Sequence, residues 1–302
     1  MFDKILVPVD FSEGSRGALG HASLFAKLFG STLELVHIVE EVGQANPAFW
    51  AAEPALAGQL QRRAVVSAGT AMERLLPTLP AEGIRVETRV LSGTLPGTLV
   101  EYAAETGASL MVVSTHGRTG LSRWLLGSVS ERLLRAAPCP VLIARGGSAQ
   151  SQPALKRVLV AVDLSEHSRR ALQAAGEVAR LSGAALEVLY VWAAPFYDPS
   201  EHFDADLFER IRQSARAELD EFVASASLPA GVALQISIES GTPSERIGQH
   251  LHTHPPDLLV LGSHGHGGFR RWMLGSVAEV TVRYAPCAAL VVPRARNGEV
   301  PA

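Results

Sequence analysis

The residues of this chain best suited to chemistry are Gly262-Ser-His-Gly265 and, after nine intervening residues, Gly275-Ser276. Glycines that follow a strand let main-chain N–H groups approach a bound anion with no Cβ in the way. Gly275-Ser276 stands where a helix begins, and the first amides and positive dipole end of a helix favour phosphate. Ser276 offers a hydroxyl donor and is also read as the cap of that helix. Loop glycines can serve tight turns alone, so this spacing leaves a purely geometric role open.

The same block occurs earlier in the chain. Ser114-Thr-His-Gly117-Arg-Thr-Gly-Leu-Ser-Arg-Trp-Leu-Leu-Gly127-Ser-Val-Ser-Glu131 is matched by Gly262-Ser-His-Gly265-His-Gly-Gly-Phe-Arg-Arg-Trp-Met-Leu-Gly275-Ser-Val-Ala-Glu279. Lys4-Ile-Leu-Val-Pro-Val-Asp10-Phe-Ser-Glu is likewise matched by Arg157-Val-Leu-Val-Ala-Val-Asp163-Leu-Ser-Glu. The early motifs lie 153 residues apart and the late ones 148, so the first copy holds five extra residues, in the stretch around Asn46 to Gly58. A repeat this long is a duplicated domain rather than a solenoid unit. Domains are expected over 1–146 and 157–297, with 147–156 as the linker in a polar stretch without periodicity.

Positioning those motifs takes strands alternating with helices. Ile5–Val9 reads as a buried strand, and Ser12 as the cap of a helix carrying Ala18, Ala22, Phe25, Ala26 and Phe29 on one face. Gly30 and Gly183 are read as left-handed helix ends. Leu33–Ile38 is the next strand, then a helix over about 59–76, a strand at Ile84–Val90, and a helical stretch over Leu95–Ala104. Leu110–Ser114, a helix at Val129–Ala136 and a strand at Val141–Ile143 close the copy. This alternation implies an α/β fold with a parallel sheet covered on both faces. Ligands in such sheets bind beyond the carboxyl ends of the strands, where strand order reverses. The two motifs follow the first and fourth strands and should meet at one crevice.

The Gly-x-x-Gly-x9-Gly-Ser block, the Val-Asp-x-Ser-Glu start and the Ala-Pro-Cys ending resemble the universal stress protein family, over nearly the whole chain and twice in the same order. The resemblance implies two Rossmann-like (adenine-nucleotide α-hydrolase-like) domains, each a five-stranded parallel sheet. It also implies ATP or AMP, with Mg²⁺, between the first and fourth strands; another branch of the family lacks the glycine motif and binds no nucleotide. Carried over by motif, base and ribose would lie against Ala161, Val162 and Asp163, with Val191 flanking the adenine and Leu261 and Gly262 at the ribose. Gly265, His266, Gly275, Ser276 and Val277 would surround the phosphates. The first-copy set is Pro8, Val9, Asp10, Ile38, Val113, Gly117, Arg118, Gly127, Ser128, Val129 and Ser130. The first copy departs from the pattern at Ser114, where the family has a glycine, and the second at Ala278, where a hydroxyl is common. The resemblance further implies pairing of the final strands, a pseudo-dimer within the chain and a homodimer of chains.

Other residues weigh less. Asp10 and Asp163 can accept from nucleotide hydroxyls or amines, but aspartate is also a preferred cap. His116 and His264 have no carboxylate or nucleophile in triad or metal spacing, so no catalytic residue and no metal ligand is assigned. His250, His252 and His254 read as a solvated helix end. Trp124 and Trp272 read as packing or interface residues, and Phe49-Trp50 and Phe196-Tyr197 as candidate lids. No Walker loop or dinucleotide fingerprint is present. Of 302 residues, 47% are hydrophobic and 19% charged, with a net charge of -3, which gives no reason to expect nucleic acid or an anionic membrane as partner. Two cysteines, Cys139 and Cys287, read as buried thiols of a cytoplasmic protein. The expected function is an ATP-binding stress-response module with at most slow hydrolysis and an unknown protein partner. Alternatives are a scaffold of the same fold without nucleotide and, more weakly, a nucleotide-activating enzyme.

Overall fold

The computed structural model describes residues 1–42, 47–115, 126–145, 153–192, 205–265 and 274–293. The chain divides into two compact units, residues 1–153 and 154–302. In the first unit the elements are β1 (Lys4–Pro8), α1 (Glu13–Phe29), β2 (Thr32–Val39), α2 (Pro47–Ala52), α3 (Pro54–Leu75) with a 3₁₀ turn (Leu76–Thr78), β3 (Val86–Ser92), α4 (Gly97–Glu105), β4 (Leu110–Ser114), α5 (Ser128–Ala136) and β5 (Val141–Ala144). The second runs β6 (Arg157–Val162), α6 (Glu166–Ser182), β7 (Ala185–Trp192), α7 (Ala205–Ser225), β8 (Leu234–Ser240), α8 (Pro243–Thr253), β9 (Leu258–Gly262), α9 (Ser276–Tyr284) and β10 (Ala288–Val292). Strand order is β3-β2-β1-β4-β5 in one unit and β8-β7-β6-β9-β10 in the other. The neighbours within each unit are parallel. Strand order therefore reverses between β1 and β4, and between β6 and β9.

The elements form where apolar periodicity and caps agree. Ile5, Leu6 and Val7 are wholly buried, as a strand covered on both faces requires. Ser12 and Ser165 cap α1 and α6 through their side chains, and Gly30 and Gly183 end these helices at φ 65° and 72°. One apolar face of α1 packs against the sheet, with the Phe25 and Phe29 rings close to Phe2. Helix α3 starts at Pro54, earlier than its apolar stripe, because proline is favoured in a first helical turn. The short helix α2 carries Phe49 and Trp50; Phe196 and Tyr197 lie outside the described residues. Cys139 is buried, whereas Cys287 is only half-buried.

Each sheet also buries a glutamate at the same repeat position. Glu34 on β2 has Lys4 Nζ at 2.9 Å and receives the Tyr102 hydroxyl of α4. Glu187 on β7 accepts from Ser237 Oγ at 2.7 Å and has His250 Nε2 of α8 at 2.9 Å. His250 Nδ1 lies 2.8 Å from Glu239. His252 and His254 are exposed, as a solvated helix end requires, but the expectation is corrected for His250, which is 6% exposed because two carboxylates on the neighbouring strands draw it inward.

Core packing sets an acid sensitivity in the first unit. His21 on α1 is 5% exposed, and its Nδ1 has no hydrogen-bond partner among the described residues. Burial holds its pKa below the ordinary 6.5, only partly offset by a bond to the Gly17 carbonyl. The unfolded chain then binds this proton more readily than the folded one. Stability is retained above pH 6.5 and falls as pH drops from there through the folded pKa. Thermal unfolding at about pH 7.5 and about pH 5.5 should show this loss. His21→Ala, which supplies the residue found at Ala174 of the second unit, should flatten it.

Candidate functional site

The crevice is built where strands part. In the second unit the β6–β9 ladder ends at the pair Ala161–Leu261, after which the two strands part, one toward Asp163 and the other toward Gly262. Asp163 Oδ1 accepts from the N–H (3.1 Å) and the hydroxyl (2.5 Å) of Ser165, the α6 cap. Asp10 is held by Ser12 in the same way, at 3.0 and 2.5 Å. Each aspartate thus braces a serine cap rather than capping the helix itself. Burial would raise the Asp10 pKa, but the Ser12 hydrogen bonds outweigh it and hold the carboxyl below its ordinary value. Between aspartate and serine stand Phe11 and Leu164, both in left-handed backbone at φ 63° and 65°. Bulky side chains rarely tolerate that region, which costs on the order of 1–3 kcal/mol, and such strain gathers at functional sites.

The glycines bring main chain against main chain. The Gly275 N–H donates to Ser263 O at 2.8 Å, and the Gly127 N–H to Thr115 O at 2.9 Å. These bonds button the start of α9 to the loop after β9, and the start of α5 to the loop after β4. A Cβ on Gly275 would meet Ser263 O at 3.3 Å, and one on Gly127 would meet Thr115 O at 3.0 Å. A Cβ on Gly265 would come within 2.4 Å of Asp163 Oδ2. Asp163, Gly265 and Gly275 therefore converge in one place.

The serine-cap expectation is corrected. Gly275 and Gly127 occupy the cap positions without side-chain caps, and Ser276 and Ser128 are the first helical residues. The Gly275 amide is committed to Ser263. Helix bonding begins with the Glu279 N–H to Gly275 O, leaving the amides of Ser276, Val277 and Ala278 without a helical acceptor. In α5 the corresponding amides are those of Ser128, Val129 and Ser130. The Ser130 hydroxyl donates to Ser114 O at 2.7 Å, so its proton is spent within the fold. Ala278 has no hydroxyl to do the same.

Gly262 has a packing reason of its own. A Cβ there would lie 3.1 to 3.3 Å from the backbone and Cβ of His167, in the first turn of α6. The first copy has Ser114 in place of Gly262 and Gly14 in place of His167. By equivalence of the two copies, Ser114 corresponds to a position facing a residue without a side chain. The pairing of Gly14 with Ser114, and of His167 with Gly262, escapes a reading of the motifs one at a time. Aligning the two copies at their offset would have exposed it. Beside His167, at a ring separation of 6.0 Å, stands His264, whose Nδ1 is 2.9 Å from Ser263 Oγ.

Pro8 ends β1, and Val9 follows it with its N–H on Val36 O at 2.9 Å. Ile38 and Val191, each 8% exposed, lie at matching points near the ends of β2 and β7. Val113 is buried on β4, whereas Val129 is 39% exposed at the start of α5. Burial, followed by the Glu218 and Asp163 carboxylates, raises the Tyr190 phenol pKa beside the second crevice. His116, Gly117, Arg118, Arg123, Trp124, His266, Arg270, Arg271 and Trp272 lie outside the described residues. No group of three or more metal-ligating side chains occurs among the described residues.

With this geometry in view, comparison with known proteins is decisive for the family. A family model described as the universal stress protein family matches residues 1–145 and again 154–293. The chain belongs to the universal stress protein family. It is similar to a universal stress protein of Mycolicibacterium smegmatis, 29% identical over 299 residues that cover 95% of this chain and 96% of that one. A Mycobacterium tuberculosis universal stress protein is 30% identical over 298 residues, 95% of either chain. Among solved structures, a Pseudomonas aeruginosa protein described as functionally unknown superposes with a TM-score of 0.68 at 22% identity, covering 97% of this chain and 92% of that one. A universal stress protein from Archaeoglobus fulgidus gives 0.64 at 22% identity and 98% coverage of both chains. At such identity these two structures speak to the fold alone. No described helix of this universal stress protein is long and apolar enough to cross a membrane.

Proposed function

We propose that this chain binds an adenine nucleotide, ATP or AMP, in the crevices at the ends of β1 and β4 and of β6 and β9, and acts as a sensing or binding module in stress response. The observation that carries this reading is the button between helix start and strand-end loop, 2.8 Å from Gly275 N to Ser263 O and 2.9 Å from Gly127 N to Thr115 O. It presents the first-turn amides of α9 and α5, which have no helical acceptor among the described residues, at the point where the strands part, and such amides favour phosphate. The donor set fits the ligand: amides of Ser276, Val277 and Ala278 for phosphates, and Asp163 as an acceptor for sugar or base. Ser128, Val129, Ser130 and Asp10 are the equivalents in the first unit. Mg²⁺ as counter-ion of the triphosphate, a homodimer, a protein partner and a cytoplasmic setting belong to the same proposal.

The test is extraction of nucleotide from the purified native protein, followed by calorimetric titration with ATP and AMP, with and without Mg²⁺. One or two sites per chain are expected. Absence of both co-purified nucleotide and binding heat would leave a scaffold of the same fold. Steady hydrolysis at or above about 1 per second would make the protein an enzyme instead.

A further inference from the structure

The two units differ at the strand ends beside the crevice. In the first, the β1–β2 ladder stops at the pair Pro8–Val36. In the second, the β6–β7 ladder continues one pair further, to Val162–Tyr190. The cause lies at His37, whose Nδ1 is 2.7 Å from Val9 O. A carbonyl oxygen only accepts, so Nδ1 carries the proton and donates it. Val9 O is the acceptor that the next ladder amide, that of Ile38, would use. Alternation along β2 fixes which way Ile38 faces. The Gly93 N–H donates to Val39 O, so the main-chain groups of Val39 point to β3, while Val36 O points to β1. The N–H and C=O of Ile38 therefore point to the β1 side, where β1 has already turned away into Phe11. The Phe11 ring packs on His37 with centroids 4.6 Å apart, which steadies both the imidazole and the left-handed turn. Tyr190 stands at the position of His37 in the second unit. Its only side-chain donor sits at the far end of the ring, out of reach of the Val162 carbonyl.

We infer that His37 is a positioning residue that holds the first unit open by one residue and turns the main chain of Ile38 into a base-reading edge. The first unit then discriminates among nucleobases, and the second, with Tyr190, does not. An N–H beside a C=O complements a ring-nitrogen acceptor beside an exocyclic amine, the edge that adenine presents; guanine presents the opposite polarity. This inference rests on the nucleotide reading above and adds which unit recognises the base and through which side chain.

The experiment compares ATP with GTP on the full chain by calorimetry, and measures amide hydrogen exchange of Ile38 and Val191 without ligand. In the native protein one site should prefer ATP by about tenfold, as two main-chain hydrogen bonds of ordinary strength would give, and the other should show no preference. His37→Tyr should remove the preference while ATP still binds. His37→Asn, whose side-chain amide can donate in place of Nδ1, should keep it, and Tyr190→His should create a second selective site. Without ligand, Ile38 should exchange faster than Val191 in the native protein and slow down in His37→Tyr. Equal exchange at the two amides, or unchanged selectivity in His37→Tyr, would overturn the inference. If neither nucleotide binds the native protein, the functional reading fails with its ligand, and the exchange comparison still decides whether His37 holds the strands apart.

Discussion

Gly265→Ala is expected to weaken ATP binding at the second unit about 100-fold, the loss that a displacement of about 1 Å can cause. The added methyl would sit 2.4 Å from Asp163 Oδ2, about 1 Å inside a comfortable contact. Asp163 cannot simply swing aside, because its other oxygen holds the N–H and hydroxyl of Ser165 at 3.1 and 2.5 Å. Either the loop lifts from the carboxylate or the carboxylate abandons the α6 cap. Both movements distort the crevice. Gly183→Ala is the comparison: Gly183 has φ 72°, and a methyl added there would meet nothing within 4 Å. That substitution should cost about 1 kcal/mol of stability through its left-handed backbone and leave affinity alone. Calorimetric stoichiometry reads the first effect and a thermal scan the second. An alanine at 265 that leaves both sites intact would remove the second crevice from consideration.

Lys4→Met should destabilise the first unit by about 3 kcal/mol, the usual cost of stripping one partner from a buried pair. The Glu34 side chain is 1% exposed, with Lys4 Nζ at 2.9 Å and Arg89 no nearer than 4.0 Å. Methionine keeps the apolar stem of Lys4 and removes only its charge. The unfolding midpoint should fall by about 6–12 °C for a unit of this size. Adding Glu34→Gln should recover most of the loss, since the amide oxygen still accepts from Tyr102 and no carboxylate remains to be compensated. Equal damage from the single and double variants would show that Lys4 acts through packing alone.

The architecture was legible because its signals are local. Caps at Ser12 and Ser165, left-handed ends at Gly30 and Gly183, and short apolar runs such as Leu110–Ser114 declare their elements within a few residues. The meeting of Asp163 with Gly265 followed from parallel topology. Commitments made by atoms across distant segments were hidden. No spacing rule shows that the Gly275 amide is spent on Ser263, or that the Ser130 hydroxyl is spent on Ser114. His250 misled for the same reason, since its partners Glu187 and Glu239 lie on neighbouring strands. Helix α2 and the start of α3 escaped because alanine and proline carry almost no periodicity.

The reciprocal fit of Gly14 with Ser114, and of His167 with Gly262, bears on how such a duplicated gene can change. Recombination between its halves would tend to make them alike, yet a crossover that carried only the late segment would set a serine side chain against a histidine-bearing turn. The reverse transfer would set glycine against glycine and meets no such obstacle, so the barrier to exchange runs one way. The late segment of the second half is therefore shielded from being overwritten by its sibling alone, whereas that of the first half carries no such lock.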